Sequence, residues 1–331
     1  MTTLWDTTGT AVVAALAAER RTGGAVTSGL ALTLVVVVDE TDVSEAETAA
    51  TVAASKHPMR MLLVIRRQIE APVPRLDAEV LIGGRLGPGE AVEMRMYGRL
   101  ALHAESVTLP LLAPDAPVVT WWHGAPPDRI SHDPLGVFAE RRITDAVRSP
   151  DPVAALRQRT VDYAPGDTDL SWTRITPWRA TLASAFDTVH TSATEATVNG
   201  DPSDPSAMLL AGWLSSCLGF YVPVEQHGHD GVSSVDVKFD DDSEFRAVRD
   251  GARMVLRREN QPDTISPFPQ RELGHLLAEE LRRLDADQTY GNSLGTVNGI
   301  QDLNSRSGTR VHVWNDPALA DQDDASAAEA G

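Results

Sequence analysis

The chain has 331 residues, 42% of them apolar and 23% charged, with 24 glycines and 21 prolines, a composition that excludes collagen-like, low-complexity and wholly disordered chains. Its 47 acidic residues against 29 basic ones leave a net charge of -18, so a phosphate backbone or an anionic membrane surface would repel it. Neither nucleic acid nor a membrane is expected as a partner.

Residues 11–20 read as an Ala-rich helix behind the cap candidates Asp6 and Thr7. Residues 30–38 are apolar at nearly every position and rich in valine, which suits a central strand covered on both faces. Asp42 and Glu45 form a capping-box-like start to an Ala-rich helix that ends near Ser55, and residues 59–65 give a second apolar strand. Together they predict a βαβ unit with a right-handed crossover. Further strands are expected at 78–82, 91–97, Val118–Trp122 and 142–147. Asp133-Pro134 and Asp151-Pro152 each place a cap before a proline, starting helices that run through Phe138 and Leu156. Residues 163–169, with Pro165, Gly166 and two aspartates, mark a domain boundary.

Beyond it, residues 177–186 read as a helix and 189–198 as a strand. Pro205–Leu218 carries no charge and stops at Gly219, a buried helix too short to span a bilayer. Val232–Phe239, 245–248 and Arg253–Arg258 alternate as antiparallel strands do, with Asp240, Asp241 and Asp242 in the first turn. Residues 269–285 put Leu273, Leu276, Leu277, Leu281 and Leu284 on one helical face. The fold class expected is an N-terminal α/β domain (1–164, a largely parallel or mixed sheet with helices) packed on a C-terminal α+β domain (165–314). An acidic, disordered tail (315–331) follows. The start lacks a basic and an apolar segment, so no signal peptide and a cytoplasmic location are expected.

Motifs for chemistry are missing. Neither Lys56 nor Lys238 follows a glycine as a P-loop lysine does, and Gly83, Gly84, Gly87 and Gly89 have the wrong spacing for a dinucleotide fingerprint. The first strand-to-helix turn carries Asp39, Glu40 and Asp42, whose charge would repel a pyrophosphate. There is no Gly-x-Ser-x-Gly elbow and no His-Glu-x-x-His. His227, His229 and Asp230 read as a solvated loop rather than a metal site. The single cysteine, Cys217, rules out an intramolecular disulfide, and its place in the uncharged helix predicts a buried, unreactive thiol. No catalytic residue, cofactor or metal ligand is assigned.

Tryptophan stands out instead. Trp121 and Trp122 end a strand and run into His123, and adjacent strand residues face opposite sides, so one of the pair faces a second layer, a pocket or a partner. Trp172, Arg174, Trp178 and Arg179 place two aromatics and two guanidinium groups just past the boundary, the pairing that dominates interface hot spots. These seven residues are the expected partner-docking site, gathered at the domain junction. The competing account packs them inside.

Several stretches share one order and spacing. They are Lys56-His57-Pro58-Met59-Arg60, Leu109-Pro110-Leu111-Leu112 with Asp115-Ala116-Pro117, and Trp121-Trp122 before Pro126-Pro127. Ser171-Trp172-Thr173-Arg174 with Trp178-Arg179, and Leu209 to Leu214, follow. Over residues 25–290 the chain resembles the OpcA family, the glucose-6-phosphate dehydrogenase assembly proteins of actinobacteria and cyanobacteria. The resemblance implies a non-catalytic accessory protein that binds glucose-6-phosphate dehydrogenase and promotes its assembly or activation, supporting the oxidative pentose phosphate pathway and NADPH supply. The thioredoxin-type control of cyanobacterial members works through cysteines and does not carry over to a chain with Cys217 alone. The alternative reading is a sugar-phosphate-binding enzyme or sensor, with His123, Arg174 and Arg179 lining an interdomain cleft. A scaffold without kinetic effect is a third.

Overall fold

A computed structural model describes residues 1–22, 29–83, 89–228 and 231–308. The expected tail, Gly84 and Gly87, and His229 with Asp230 lie outside the described residues.

The valine-rich run forms β2 (Leu32–Val38), buried at every position. Leu32, Leu34, Val36 and Val38 face one hydrophobic cluster, while Val35 and Val37 face another. A strand with apolar side chains on both faces needs two covering layers, and the fold supplies them. Helix α2 (Val43–Ala54) contributes Ala46, Ala49, Ala50 and Ala53 to the first layer, α1 (Gly9–Thr22) contributes Val12 and Leu16 to the second. The capping details differ from expectation. Thr8, not Asp6 or Thr7, accepts from the amide of Ala11; the Asp42 side chain makes no cap bond, and Glu45 reaches away to Arg148.

The first sheet has eight strands in the order β1-β4-β5-β3-β2-β6-β7-β8. Strands β3 (Met59–Arg67), β5 (Glu90–Tyr97), β6 (Val118–Trp122), β7 (Arg141–Thr144) and β8 (Asp167–Asp169) all run parallel to β2 through their neighbours. The antiparallel pair β4 (Arg75–Ile82) and β1 (Thr2–Leu4) extends the β5 side. From β2 the chain winds outward to β3 and β5, then returns and winds the other way through β6, β7 and β8. That reversal is the doubly wound, Rossmann-type order, and the crevice at its switch point lies beyond the carboxyl ends of β2 and β6. The short helices α3 (Arg99–Leu102), α4 (Glu105–Thr108) and α5 (Pro134–Val137) and the longer α6 (Pro152–Asp162) make the connections. Arg60 joins two of the recurring stretches: it pairs with the buried Glu90 at 2.8 Å and donates to the Leu111 carbonyl at 2.7 Å.

The second sheet follows α7 (Leu170–Arg174) and α8 (Thr176–Phe186), and its strand order is β10-β9-β11-β12-β13-β14. It comprises β9 (Ala193–Gly200), β10 (Val224–Gln226), β11 (Val232–Phe239), β12 (Glu244–Asp250), β13 (Arg253–Arg258) and β14 (Thr264–Pro267). Its inward residues, among them Val235, Val237, Phe245 and Leu256, share one core with α8 and α9 (Pro205–Leu218), and Phe245 meets Phe186 of α8 edge-on. Asp204 caps α9 through the Ser206 amide, and Gly219 ends it at φ 78°, a left-handed turn that costs a glycine nothing.

After β14 the chain returns to the first sheet. Helix α10 (Leu273–Glu280), shorter than the expected 269–285, lays Leu276 and Leu277 against the alanines of α2. His57 holds it there, its Nε2 2.9 Å from the Ala278 carbonyl oxygen. Then α11 (Gln288–Val297) packs beside α9. No helix among the described residues is long and apolar enough to cross a membrane. Cys217 corrects one expectation: its helix turns that side outward, and the thiol is exposed.

Candidate functional site

The switch-point crevice is where a doubly wound sheet holds a dinucleotide, with the pyrophosphate on the glycine-rich turn after the first strand. Here that turn carries Asp39, Glu40 and Asp42. Across it stands His123, whose amide bonds the Val37 carbonyl at 3.0 Å and whose ring is fully buried edge-on to Trp121. Its Nε2 lies 3.5 Å from Glu45 Oε2, yet neither ring nitrogen makes a hydrogen bond among the described residues. Glu45 is held by both Nη atoms of Arg148, at 3.0 and 2.9 Å. Burial, and then the Arg148 charge, push the His123 imidazole below its ordinary value against the pull of Glu45, Asp42 and Asp39. A neutral imidazole facing a row of carboxylates offers nothing to a pyrophosphate, and the residues present do not fit one.

The structure separates the expected docking residues. Trp121 packs beneath α2 and α10 with Ile143 and Leu170, whereas Trp122 packs on the opposite face with Ile130 and Leu135. Trp172 and Trp178 belong to the core under the second sheet. All four indoles and His123 are at most 3% exposed, so none can anchor a partner from the surface of the folded chain. A tryptophan pair at a strand end reads the same whether its second face meets a partner or another layer, and here it meets another layer. Only Arg174 and Arg179 keep exposed edges. Arg174 pairs in parallel with the buried Asp145, at 2.6 and 2.7 Å; burial opposes its charge, but the bonds and the Asp145 charge hold it above its ordinary value.

Arg179 lies with its guanidinium carbon 3.6 Å from the centre of the Trp172 ring, at the wall of a cleft of about 680 Å³. The cleft runs between the start of α8 and the α10–α11 connection, and Arg141, Arg282, Arg283, Asp285 and Gln288 also line it. Most of its carboxylates are already engaged. Glu280 accepts from Arg141 and from Thr173 Oγ1, Glu279 pairs with Arg271, and Asp287 accepts from Trp172 Nε1 at 2.8 Å while capping α11. Its cations are less so: among the described residues the Arg179 guanidinium bonds only Thr176 Oγ1, at 3.2 Å, and its buried Nε has no hydrogen-bond partner. Sequence reasoning singled out Arg179 but missed Arg141, Arg282 and Arg283. The adjacent arginines closing a leucine-faced helix were the available signal.

Two family profiles match the chain. Residues 50–161 match the N-terminal domain of the glucose-6-phosphate dehydrogenase subunit, and residues 165–294 match its C-terminal domain. The chain belongs to the OpcA family. No curated protein sequence matches it. Among solved structures, a 3-ketoreductase from Actinomadura kijaniata with NADP shares 10% identity over 82% of this chain and 97% of its own, at a TM-score of 0.41. A putative oxidoreductase from Klebsiella pneumoniae shares 10% identity over 88% and 99%, also at 0.41. At that level of likeness no chemistry transfers.

Proposed function

We propose that this OpcA-family chain is a non-catalytic accessory protein that binds glucose-6-phosphate dehydrogenase and promotes its assembly or activation, and so supports NADPH supply. The observation that carries this reading is the pair of consecutive family matches, which reaches into both sheets. The crevice adds physical support, because Asp39, Glu40 and Asp42 occupy the turn where a catalytic relative of this topology would need to receive phosphate. That acidic turn argues against a dinucleotide bound at the switch point.

Activation by such a partner is linkage. If the chain binds the active form of the dehydrogenase more tightly than the inactive form, it shifts the population by that difference in affinity, and a few kcal/mol moves a minor state to a major one. Co-purification with the dehydrogenase encoded in the same genome tests the reading. A stable complex on gel filtration is expected, and separate elution at micromolar concentration of both chains contradicts it.

A further inference from the structure

The cleft beside Arg179 lies apart from the switch point, and its four arginines and four carboxylates are unevenly paired. A cation half-buried in protein normally has an anionic partner, because removing it from water is costly. Arg174 has one in Asp145, and Arg141 has one in Glu280. Arg179 has no ion pair within 4 Å among the described residues, and burial pulls its guanidinium below its ordinary value against the more distant charges of Asp287, Glu280 and Glu279. Trp172 fixes the group by stacking on one face, and Trp172 is itself fixed through Nε1 by Asp287. What is left is a positioned planar fork with an unpaired Nε and one bonded Nη2, facing a cleft large enough for a small ligand. Arg282 and Arg283, both exposed and with no side-chain partner among the described residues, stand at the same cleft.

The wall is not uniformly basic. Asp285 and Gln288 are exposed along it, and their oxygens and amide suit hydroxyl groups rather than an anion. Three arginines with unused donors next to a carboxylate and an amide describe a ligand with an anionic end and a hydroxylated body. We propose that this cleft binds a phosphorylated sugar, its phosphate held by Arg179, Arg282 and Arg283 and its hydroxyls by Asp285 and Gln288. Guanidinium forks match phosphate oxygens in pairs, and Thr176 and Thr289 supply further hydroxyls at the rim. Occupancy would tie α8 to the α10–α11 connection, and so the second sheet's layer to the helix that covers the first.

The site is independent of whether the chain acts on a dehydrogenase, because its test reads binding by this chain alone. Calorimetric titration of the full chain uses ribose 5-phosphate, ribose and inorganic phosphate as probes. Saturable binding of ribose 5-phosphate is expected, with ribose and inorganic phosphate each weaker by about tenfold or more. Arg179→Gln should weaken ribose 5-phosphate binding about tenfold, and the Arg282→Ala/Arg283→Ala double variant, altered only at exposed positions, about threefold or more with an unchanged melting temperature. No saturable binding up to about 10 mM overturns the proposal. So does unchanged affinity in both variants, or inorganic phosphate binding as tightly as the sugar phosphate.

Discussion

Arg174 and Asp145 meet through two parallel bonds, Nη1 to Oδ1 at 2.6 Å and Nη2 to Oδ2 at 2.7 Å, with the Asp145 carboxylate wholly removed from solvent. Asp145 follows β7 and Arg174 ends α7, so the pair clamps the last turns of the first sheet to the entry of the second layer. Arg174→Ala would strand a buried carboxylate, and the expected cost is about 3 kcal/mol. Urea denaturation measures it. A loss below about 0.5 kcal/mol would mean that the pair is a surface contact of little consequence.

His123 makes stability depend on pH. Its folded value lies below its unfolded one, near 6.5, so the unfolded chain binds the proton more readily. The contribution is present above about pH 6.5 and is lost as the pH falls toward the folded value. Comparing urea midpoints at about pH 7.5 and 5.5 should show a drop in the native chain that His123→Leu reduces. Equal drops in both would place the acid sensitivity elsewhere.

Helices α2 and α10 touch at a glycine. A Cβ built on Gly274 would stand 2.6 Å from Val52 Cβ and 2.9 Å from the Ala49 carbonyl oxygen, so the helices must part to admit it. Gly274→Ala should destabilise the protein by about 1–3 kcal/mol despite alanine's better helix propensity. A gain in melting temperature would show that propensity outweighs this contact.

The Cys217 thiol is exposed, and partial burial raises it above its ordinary value. It should react with a maleimide without denaturant, slowly at neutral pH and faster as the pH rises. Cys217→Ser should change stability by less than about 0.5 kcal/mol. A thiol that labels only after unfolding would restore the buried reading.

Patterns set by burial were readable from sequence. The nearly unbroken apolar run of Leu32–Val38 requires cover on two faces, and the charge-free Pro205–Leu218, stopped by Gly219, is a helix at those same bounds. Elements held by tertiary contacts were not readable. Strand β8 is Asp-Thr-Asp, two strand-disfavouring aspartates around one threonine, and it reads as a loop until Arg142 pairs with Asp167 and β7 lies alongside. Helix α11 contains Gly291 and Gly295, weak helix formers that let it approach the loop at Asn304 and Ile300 closely. The same blindness touched the candidate site. Trp172 and Arg179 were visible as a pair, but the wall opposite them comes from residues a hundred positions later, and no local pattern joins the two.

The accessory role is tested most directly by titrating the purified chain into the glucose-6-phosphate dehydrogenase of the same genome while following NADPH formation. The account predicts a saturable rise in dehydrogenase activity, with no NADPH formed by the chain alone. An activity unchanged at saturating chain, or turnover by the chain without the dehydrogenase, would contradict it.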